Sequence, residues 1–153
     1  LSLMSKTKIK IKKLREDAVI PKLAEDGSIG FDLTILERGK HLGGNTYVYH
    51  TGIAIEPPKG YYTEVVPRSS ISKTGYILAN SIGIVDNSYR GEVLVVLTKL
   101  PNGTYETPDI LADGPIRIAQ LIIRKEVKLG FELVQELSET ARGAGALGST
   151  GKK

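Results

Sequence analysis

Apolar and polar residues alternate with a period of two along most of this chain. The segments with this pattern are rich in isoleucine, valine, tyrosine and threonine, which favour β-strands. Seven strands are predicted, at residues 9–14, 30–36, 46–56, 61–67, 92–100, 116–124 and 128–136. Residues 69–80 predict a helix of about two turns, with Ser69 or Ser70 as its N-cap.

Turn-forming residues separate the predicted strands. Five clusters each contain a glycine, at residues 25–28, 43–45, 57–60, 101–103 and 112–115. Many short strands at this spacing predict an all-β, jelly-roll-like sandwich or barrel. We expect one β domain over residues 1–139, followed by a flexible, glycine-rich C-terminal arm over residues 140–153.

The composition excludes several classes of protein. The chain has 153 residues, of which 41% are hydrophobic and 25% charged, as in one globular domain. The absence of cysteine excludes disulfide bonds and zinc–thiolate sites. No apolar run approaches the roughly 20 residues that span a bilayer, and no signal-peptide core is present. We therefore expect no membrane association and a cytoplasmic or nuclear location.

The net charge of +4 raises the question of nucleic-acid binding, because basic residues crowd into positions 6–15. Ile9 and Ile11 alternate with lysines there, which predicts an edge strand with one basic, solvated face. Aromatic side chains that could stack on bases are missing from this segment. Nucleic acid is therefore not expected as a partner.

Two groups of polar residues lie at positions where a β scaffold alone does not require polar side chains. Arg68, Ser69 and Ser70 precede the predicted helix, where free N–H groups favour anions, although a serine cap beside a solvated arginine is the alternative. Gln120 is a lone amide inside an apolar strand, and it is either a ligand-binding group or a satisfied core or interface residue.

A third cluster lies in residues 79–93, which predict a β-hairpin. The hairpin would place the carboxylate of Asp86 and the phenol of Tyr89 at the mouth of an apolar pocket, with the amide of Asn80 nearby. A planar heterocycle needs such a slot with a few polar groups. An aspartate that only forms the turn is the alternative.

The C-terminal segment has the composition of a phosphate-binding arm. Arg142, four glycines and the hydroxyls of Ser149 and Thr150 supply donors, and glycine lets the backbone approach a ligand closely. A frayed terminus is the alternative reading of the same composition.

Five ordered motifs resemble those of the dUTP pyrophosphatase (dUTPase) family. They are GFDL at 30–33, PRSSIS at 67–72, GIVDNSYRGE at 83–92, RIAQLII at 117–123 and RGAGALGSTG at 142–151. The resemblance covers nearly the whole chain. It implies a distorted jelly roll, a homotrimer with active sites at subunit boundaries, a C-terminal arm that closes over the site, and hydrolysis of dUTP to dUMP and pyrophosphate with Mg²⁺.

The resemblance also implies a role for each motif residue. Asp86 would be the general base for the water that attacks the α-phosphorus, and Tyr89 would stack under the deoxyribose and exclude a 2′-hydroxyl. Asp32 would act on Mg²⁺ through water, with substrate phosphates as the main ligands. The other implied substrate contacts are the uracil-reading Asn80, Gly83, Ile84 and Val85, the phosphate-binding Arg68, Ser69, Ser70 and Gln120, and Leu94, Arg142, Leu147, Gly148, Ser149 and Thr150.

Three positions depart from the family pattern. Leu147 stands where the family usually has an aromatic residue, and Ala146 where it commonly has glycine, so stacking of the arm on the base is not implied. Ser88 replaces a common acidic residue at a peripheral position.

Two other functions match parts of the pattern. The dCTP deaminase family is similar in fold and in its RSS motif, but it has a catalytic glutamate where this chain has Val96 and an arginine where this chain has Lys73. A nucleotide-sensing regulator would keep Asp86 and the arm. Release of pyrophosphate from catalytic amounts of protein distinguishes an enzyme from such a regulator.

Overall fold

The computed structural model describes residues 7–103 and 106–148, which form ten β-strands and one short 3₁₀ helix, Ser69–Lys73. In these ranges no helix has the length and apolar character needed to cross a membrane. The strands are β1 (Lys10–Lys13), β2 (Lys22–Leu23), β3 (Phe31–Ile35), β4 (Glu37–Gly43), β5 (Thr46–Glu56), β6 (Tyr61–Pro67), β7 (Tyr76–Leu78), β8 (Gly83–Val85), β9 (Glu92–Lys99) and β10 (Ile116–Lys125).

The strands build two antiparallel sheets around one shared core. The first sheet has the order β1-β5-β9-β7, and β4 also pairs with β5. The second sheet has the order β2-β3-β10-β6-β8. Because strands adjacent in the sequence repeatedly lie in different sheets, the chain crosses between the layers several times. The all-β, jelly-roll-like prediction is confirmed.

The core consists of the side chains that alternate strands point between the sheets. On β9, Val93, Val95 and Leu97 are fully buried, while Leu94 on the opposite face is 37% exposed. Burial also raises the pKa of the Tyr49 phenol on β5. The period of two in the sequence is thus the spacing that buries one face of each strand.

Six of the seven predicted strands are confirmed, each within one residue of its predicted ends. The predicted turns are confirmed as well, since each contains a glycine with positive φ: Gly27, Gly43, Gly44, Gly60, Gly103 and Gly114. L-residues other than glycine rarely adopt this conformation, which is why these turns could be recognised in the sequence.

The strand predicted at residues 128–136 is wrong for the chain taken alone, because none of these residues lies in a strand. The preceding strand, β10, is already paired on both edges, by β3 and β6. Leu129, Phe131 and Leu133 keep the apolar alternation but are between 87% and 109% exposed. The sequence pattern is that of a strand, but a strand needs a partner, and the described chain does not supply one.

The helix predicted at residues 69–80 is also partly wrong. The observed 3₁₀ helix ends at Lys73, and its N-cap is Arg68, without a side-chain capping hydrogen bond, rather than Ser69 or Ser70. Gly75 has φ +78, and the chain then enters β7, which pairs with β9. Pairing with β9 therefore prevails over the helical tendency of the segment.

Candidate active site

A buried carboxylate organises the cationic side chains on the second sheet. Asp32 on β3 is 6% exposed, and each of its oxygens faces an arginine. Arg68 Nε lies 3.0 Å from Oδ1, and Arg117 Nη1 lies 3.3 Å from Oδ2. Arg68 also donates through Nη1 to the carbonyl oxygen of Arg117 at 2.8 Å. Asp32 thus fixes the direction of the Arg68 guanidinium group.

Gln120 on β10 lies beside this ion-paired group. Its Nε2 donates to the carbonyl oxygen of Pro67 at 3.1 Å, so one of its N–H groups is satisfied inside the chain. Its Oε1 lies only 1.9 Å from where a Cβ of Gly30 would be. Because Gly30 has no side chain, the Gln120 amide can lie over its backbone. The glycine that begins the GFDL motif therefore sets the position of Gln120.

These residues open onto a shared cavity of about 360 Å³, lined by Asp32, Arg68, Ser69 and Gln120 among others. Ser70 is exposed on the adjoining 3₁₀ helix. Guanidinium, hydroxyl and amide groups around an open cavity suit a phosphate or another anion. Four of the five residues expected at the phosphates and the metal thus lie together around one cavity.

The segment at residues 79–93 is not a β-hairpin, contrary to the prediction. β8 pairs with β6 in the second sheet, whereas β9 pairs with β5 and β7 in the first. Residues 86–91, which we call the crossing loop, therefore connect the two sheets. Alternating apolar residues predict that strands exist, but they do not identify the partner of each strand.

Asp86 begins the crossing loop, and its side chain is exposed. It lines a cavity of about 670 Å³ together with Ile84, Tyr62, Lys59 and Lys128 among others. The lining combines the charged side chains with the apolar side chains of Ile84 and Val127. A carboxylate that is open to solvent can accept a proton from a bound water molecule.

Tyr89 is held at the end of the crossing loop. Its hydroxyl donates to the carbonyl oxygen of Glu92 at 2.7 Å, and its ring lies so close to Gly91 that a Cβ there would be 2.5 Å from the phenol oxygen. The carboxylate of Glu92 accepts the Gly52 N–H at 2.8 Å and lies 2.9 Å from His50 Nδ1. These contacts connect the Tyr89 ring to β5 through Glu92.

Asn80 lies beside the backbone of β8. A Cβ at Gly83 would be 3.0 Å from Asn80 Nδ2, so the absence of a side chain at Gly83 lets the amide approach. β8 is the last strand of its sheet, and one edge of its backbone is unpaired within the described part of the chain. Strand-edge peptide groups beside a side-chain amide offer the donors and acceptors that a pyrimidine edge needs.

Comparison with known proteins identifies the family. The dUTPase family model matches residues 16–151. The chain belongs to the dUTPase family. It is 36% identical to the deoxyuridine 5′-triphosphate nucleotidohydrolase of Clostridium tetani, over 97% of this chain and 100% of that protein. It is 39% identical to the protein of the same name from Nautilia profundicola, over 95% of this chain and 99% of that protein.

Solved structures support the family assignment at the level of the fold. The dUTPase of Staphylococcus bacteriophage 80alpha with dUPNHPP superposes with a TM-score of 0.72 at 21% identity, over 96% of this chain and 100% of that chain. A likeness at this identity establishes the jelly-roll-like fold of the dUTPases for this chain.

The two groups of candidate site residues lie around separate cavities. The cavity with Arg68 and Gln120 and the cavity with Asp86 have no lining residue in common in the described part of the chain. Arg68 follows β6, while the crossing loop follows β8 at the edge of the sheet. Whether one substrate contacts both groups, and whether a second chain contributes to the site, stays a prediction of the family resemblance.

The C-terminal residues assigned to the substrate lie apart from both cavities. Arg142 Nε donates to the carbonyl oxygen of Gly145 at 2.9 Å, Leu147 is fully exposed, and Gly148 has φ +80. Leu94 is on the outward face of β9, opposite His50. Ser149 and Thr150 lie outside the described residues. Contacts of the arm with a substrate thus stay a prediction.

Three residues of the site could not be recognised in the sequence. Arg117, which pairs with Asp32, resembles an ordinary solvated cation on a strand. Glu92, which connects Tyr89 to β5, follows a glycine at the start of a strand. Asn87, whose amide binds the turn before β6, resembles a turn-forming residue.

The side chains around the Asp32 cavity are compatible with a Mg²⁺ ion that is bound mainly by the phosphates of a triphosphate substrate. Among residues 7–103 and 106–148, no group of three or more His, Cys, Asp or Glu side chains could hold a metal ion. Asp32 is a single carboxylate beside an anion-binding cavity. Mg²⁺ commonly binds proteins through one or two carboxylates, water and the phosphates of a substrate. Asp32 is the carboxylate at this cavity that would hold Mg²⁺ through a bridging water.

Proposed function

We propose that this chain hydrolyses dUTP to dUMP and pyrophosphate with Mg²⁺, as a homotrimer whose active sites combine residues of neighbouring chains. Relatives named deoxyuridine 5′-triphosphate nucleotidohydrolase, which match 95–97% of this chain, support the substrate. One observation carries the proposal: the exposed carboxylate of Asp86 lies next to a strand edge and an amide that suit a pyrimidine.

Recognition of the nucleoside falls to the residues around β8. Asn80 and the free backbone groups of Gly83, Ile84 and Val85 bind the edge of uracil, and we expect them to exclude the methyl group of thymine. Tyr89 packs against the deoxyribose. Because its hydroxyl is bonded to Glu92, the ring cannot easily withdraw, so a 2′-hydroxyl would collide with it.

Recognition of the phosphates falls to the other cavity, supplied by a neighbouring chain. Arg68, Ser69, Ser70 and Gln120 donate hydrogen bonds to phosphate oxygens. Asp32 supports this function because its ion pair holds Arg68 in a fixed direction. Charge-assisted bonds from a fixed guanidinium group are among the strongest that a protein offers a phosphate.

The chemistry centres on Asp86. Its carboxylate orients a water molecule and accepts its proton as the water oxygen bonds to the α-phosphorus. The bond from the α-phosphorus to its bridging oxygen breaks, and pyrophosphate leaves. Mg²⁺, bound by the phosphates and through water by Asp32, supplies neutralisation of the phosphate charge. This carboxylate therefore decides the rate of the step, whereas the other side chains bind and orient the substrate.

The arm, residues 140–153, closes over the triphosphate, while residues 1–139 form the β domain. Arg142 adds charge-assisted bonds to phosphate oxygens, and glycines such as Gly148 let the backbone amides approach closely. Leu147 covers the base without aromatic stacking, and Leu94 adds an apolar contact from β9. The hydroxyls of Ser149 and Thr150 complete the phosphate contacts.

A turnover assay tests the proposed activity. With Mg²⁺ present, catalytic amounts of the protein are expected to release pyrophosphate from dUTP, and much less from dTTP, dCTP or UTP. The physical reason is that Asn80, the β8 backbone and Tyr89 select the base and the sugar. Equal turnover of UTP and dUTP would contradict the role of Tyr89, and binding of dUTP without turnover would indicate a nucleotide-sensing regulator.

Removal of the arm is expected to slow catalysis more than it weakens product binding. A variant that ends at Ala141 loses Arg142 and the glycine-rich segment, so water is no longer excluded when the triphosphate is bound. We expect kcat to fall about tenfold or more, with little change in affinity for dUMP, which has no β- or γ-phosphate. A variant that ends at Gly151 is the matched control. Unchanged kcat in the shorter variant would identify the segment as a frayed terminus.

A further inference from the structure

The side chain of Asn87 binds the turn that precedes β6. Asn87 follows Asp86 directly and is half-buried. Its Nδ2 donates to the carbonyl oxygens of Tyr61 at 2.7 Å and Pro58 at 3.1 Å, and the carbonyl oxygen of Pro57 lies 3.4 Å away. An amide nitrogen has two hydrogens, so these acceptors satisfy it fully. We call residues 57–61 the proline turn.

The proline turn is a rigid support. Two consecutive prolines fix the φ angles at its start. The Tyr61 N–H closes the turn on the carbonyl oxygen of Pro58 at 3.2 Å, and Gly60 has φ +89, a conformation that glycine adopts readily. The carbonyl oxygen of Gly60 also accepts the Glu126 N–H at 2.8 Å. The turn is therefore attached to β5, to β6 and to the chain after β10.

The crossing loop is closed around Asn87 by its own hydrogen bonds. The carbonyl oxygen of Asp86 accepts the Tyr89 N–H at 3.1 Å. The guanidinium group of Arg90 donates to the carbonyl oxygens of Asn87 and Tyr89, and its Nε lies 3.6 Å from a carboxylate oxygen of Glu56. The loop is thus a compact unit, and the Asn87 amide attaches it to the proline turn beside Asp86.

We propose that Asn87 is a positioning residue for Asp86, a role that rests on the proposed function. The Asp86 carboxylate is exposed, so its place relative to the α-phosphorus depends on its backbone. That backbone is fixed by the amide of the next residue. A displacement of about 1 Å in a reacting group can lower a rate as much as 10²-fold. Asn87 therefore acts on the rate of the chemical step, without contacting the substrate.

Two substitutions separate this role from a general contribution to folding. Asn87→Ala removes the donor, and Asn87→Asp keeps the shape but directs a carboxylate at three carbonyl oxygens. Both are expected to lower kcat about tenfold or more, with KM for dUTP within about twofold of the unaltered protein. The melting temperature should fall by less than about 10 °C, the scale of two lost hydrogen bonds. Asn102→Asp, in an exposed loop, is the matched control.

The pH dependence of kcat gives a second signature. A general base must be deprotonated, so kcat falls on the acid side of its pKa. The carboxylate introduced by Asn87→Asp lies next to Asp86, and a like charge raises the pKa of a neighbouring carboxyl group. The acid limb of the profile is expected to move to higher pH in Asn87→Asp and to stay in place in Asn87→Ala.

The outcomes are distinguishable from a failure of the proposed function. A normal kcat in both variants, or a rise in KM that accounts for the whole loss, would overturn the positioning role. If the unaltered protein released no pyrophosphate from dUTP, the proposed function would fail. Hydrogen exchange of the amides at residues 86–89 then decides the role of Asn87: faster exchange in Asn87→Ala supports it, and unchanged exchange overturns it.

Discussion

Asp86→Asn is expected to lower the turnover of dUTP by at least about 10²-fold, while the affinity for dUTP changes little. Asparagine keeps the size of the side chain and its hydrogen bonds to water, but its amide cannot accept the proton of the attacking water. The side chain is exposed and makes no hydrogen bond within the described structure that the substitution would break. Pyrophosphate release gives kcat, and calorimetry with a non-hydrolysable dUTP analogue gives the affinity.

Asp113→Asn is the matched control for this prediction, because Asp113 is also an exposed aspartate in a loop. It should leave both kcat and affinity unchanged. A near-normal kcat in Asp86→Asn would show that the base lies elsewhere. Equal losses of kcat and of affinity would indicate instead that Asp86 binds the substrate and does not activate water.

The confirmed part of the fold follows from local sequence chemistry. The strand at residues 46–56 could be predicted to the residue, because alternation with β-branched and aromatic side chains extends over its whole length. β4 could not, since its residues are mostly polar and exposed. β4 is stabilised by backbone hydrogen bonds to the neighbouring β5, and such pairing cannot be recognised in a hydrophobic pattern.

The wrong predictions concern which strands pair with each other, and a local hydrophobic pattern does not contain this information. The sequence predicts that residues 83–85 and 92–99 pair with each other in one hairpin. Instead, β8 pairs with β6 in the second sheet, and β9 pairs with β5 in the first sheet. For the same reason the strand at residues 128–136 was predicted within the chain, although no partner is free beside β10. Where a strand pairs depends on contacts between residues that are distant in the sequence.

The residues of the candidate site also divide into those that can be predicted from the sequence and those that cannot. Asp86 and Arg68 could be selected because their residue types carry chemistry. Asn87 and Arg117 could not, because their functions arise from contacts with residues 29 and 85 positions away. Supporting side chains of this kind become visible only when the fold brings their partners close.

The exposed segment after β10 has the features of a strand that joins a neighbouring chain. Leu129, Phe131 and Leu133 alternate with other residues and are almost fully exposed, and burying each such side chain contributes about 1.5–3 kcal/mol. β1 is the terminal strand of the first sheet and presents an unpaired edge within the described chain. Beside β1 lies an apolar cavity of about 310 Å³, lined by Ile9, Ile11, Ile20, Phe31, Leu121 and Ile123 among others.

The charges of the two elements are complementary. Residues 126–141 contain four glutamates, of which Glu132, Glu136 and Glu139 are exposed, whereas β1 and its start present Lys8, Lys10, Lys12 and Lys13. Addition of the segment from one chain to the β1 edge of the next would bury its apolar face and pair these charges.

If residues 128–136 join a neighbouring chain in the proposed homotrimer, the double substitution Phe131→Asp and Leu133→Asp is expected to yield monomers and to lower dUTP turnover by more than about 10²-fold. Two charged groups would replace the apolar contacts at each of three interfaces, at a cost of several kcal/mol per interface. Sedimentation velocity gives the mass, and pyrophosphate release gives the activity. Leu42→Asp, at an exposed leucine of β4, is the matched control. A monomer with normal turnover would contradict the proposed assembly.

Mixing two inactive variants tests whether the sites are shared between chains. Asp86→Asn lacks the base and Arg68→Ala lacks a phosphate ligand, so each homotrimer should be nearly inactive. After unfolding and refolding of an equal mixture, about a quarter of the sites would combine Asp86 from one chain with Arg68 from another, which should restore up to about a quarter of the normal turnover. If both groups acted within a single chain, every site would lack one of them, and the mixture would stay inactive.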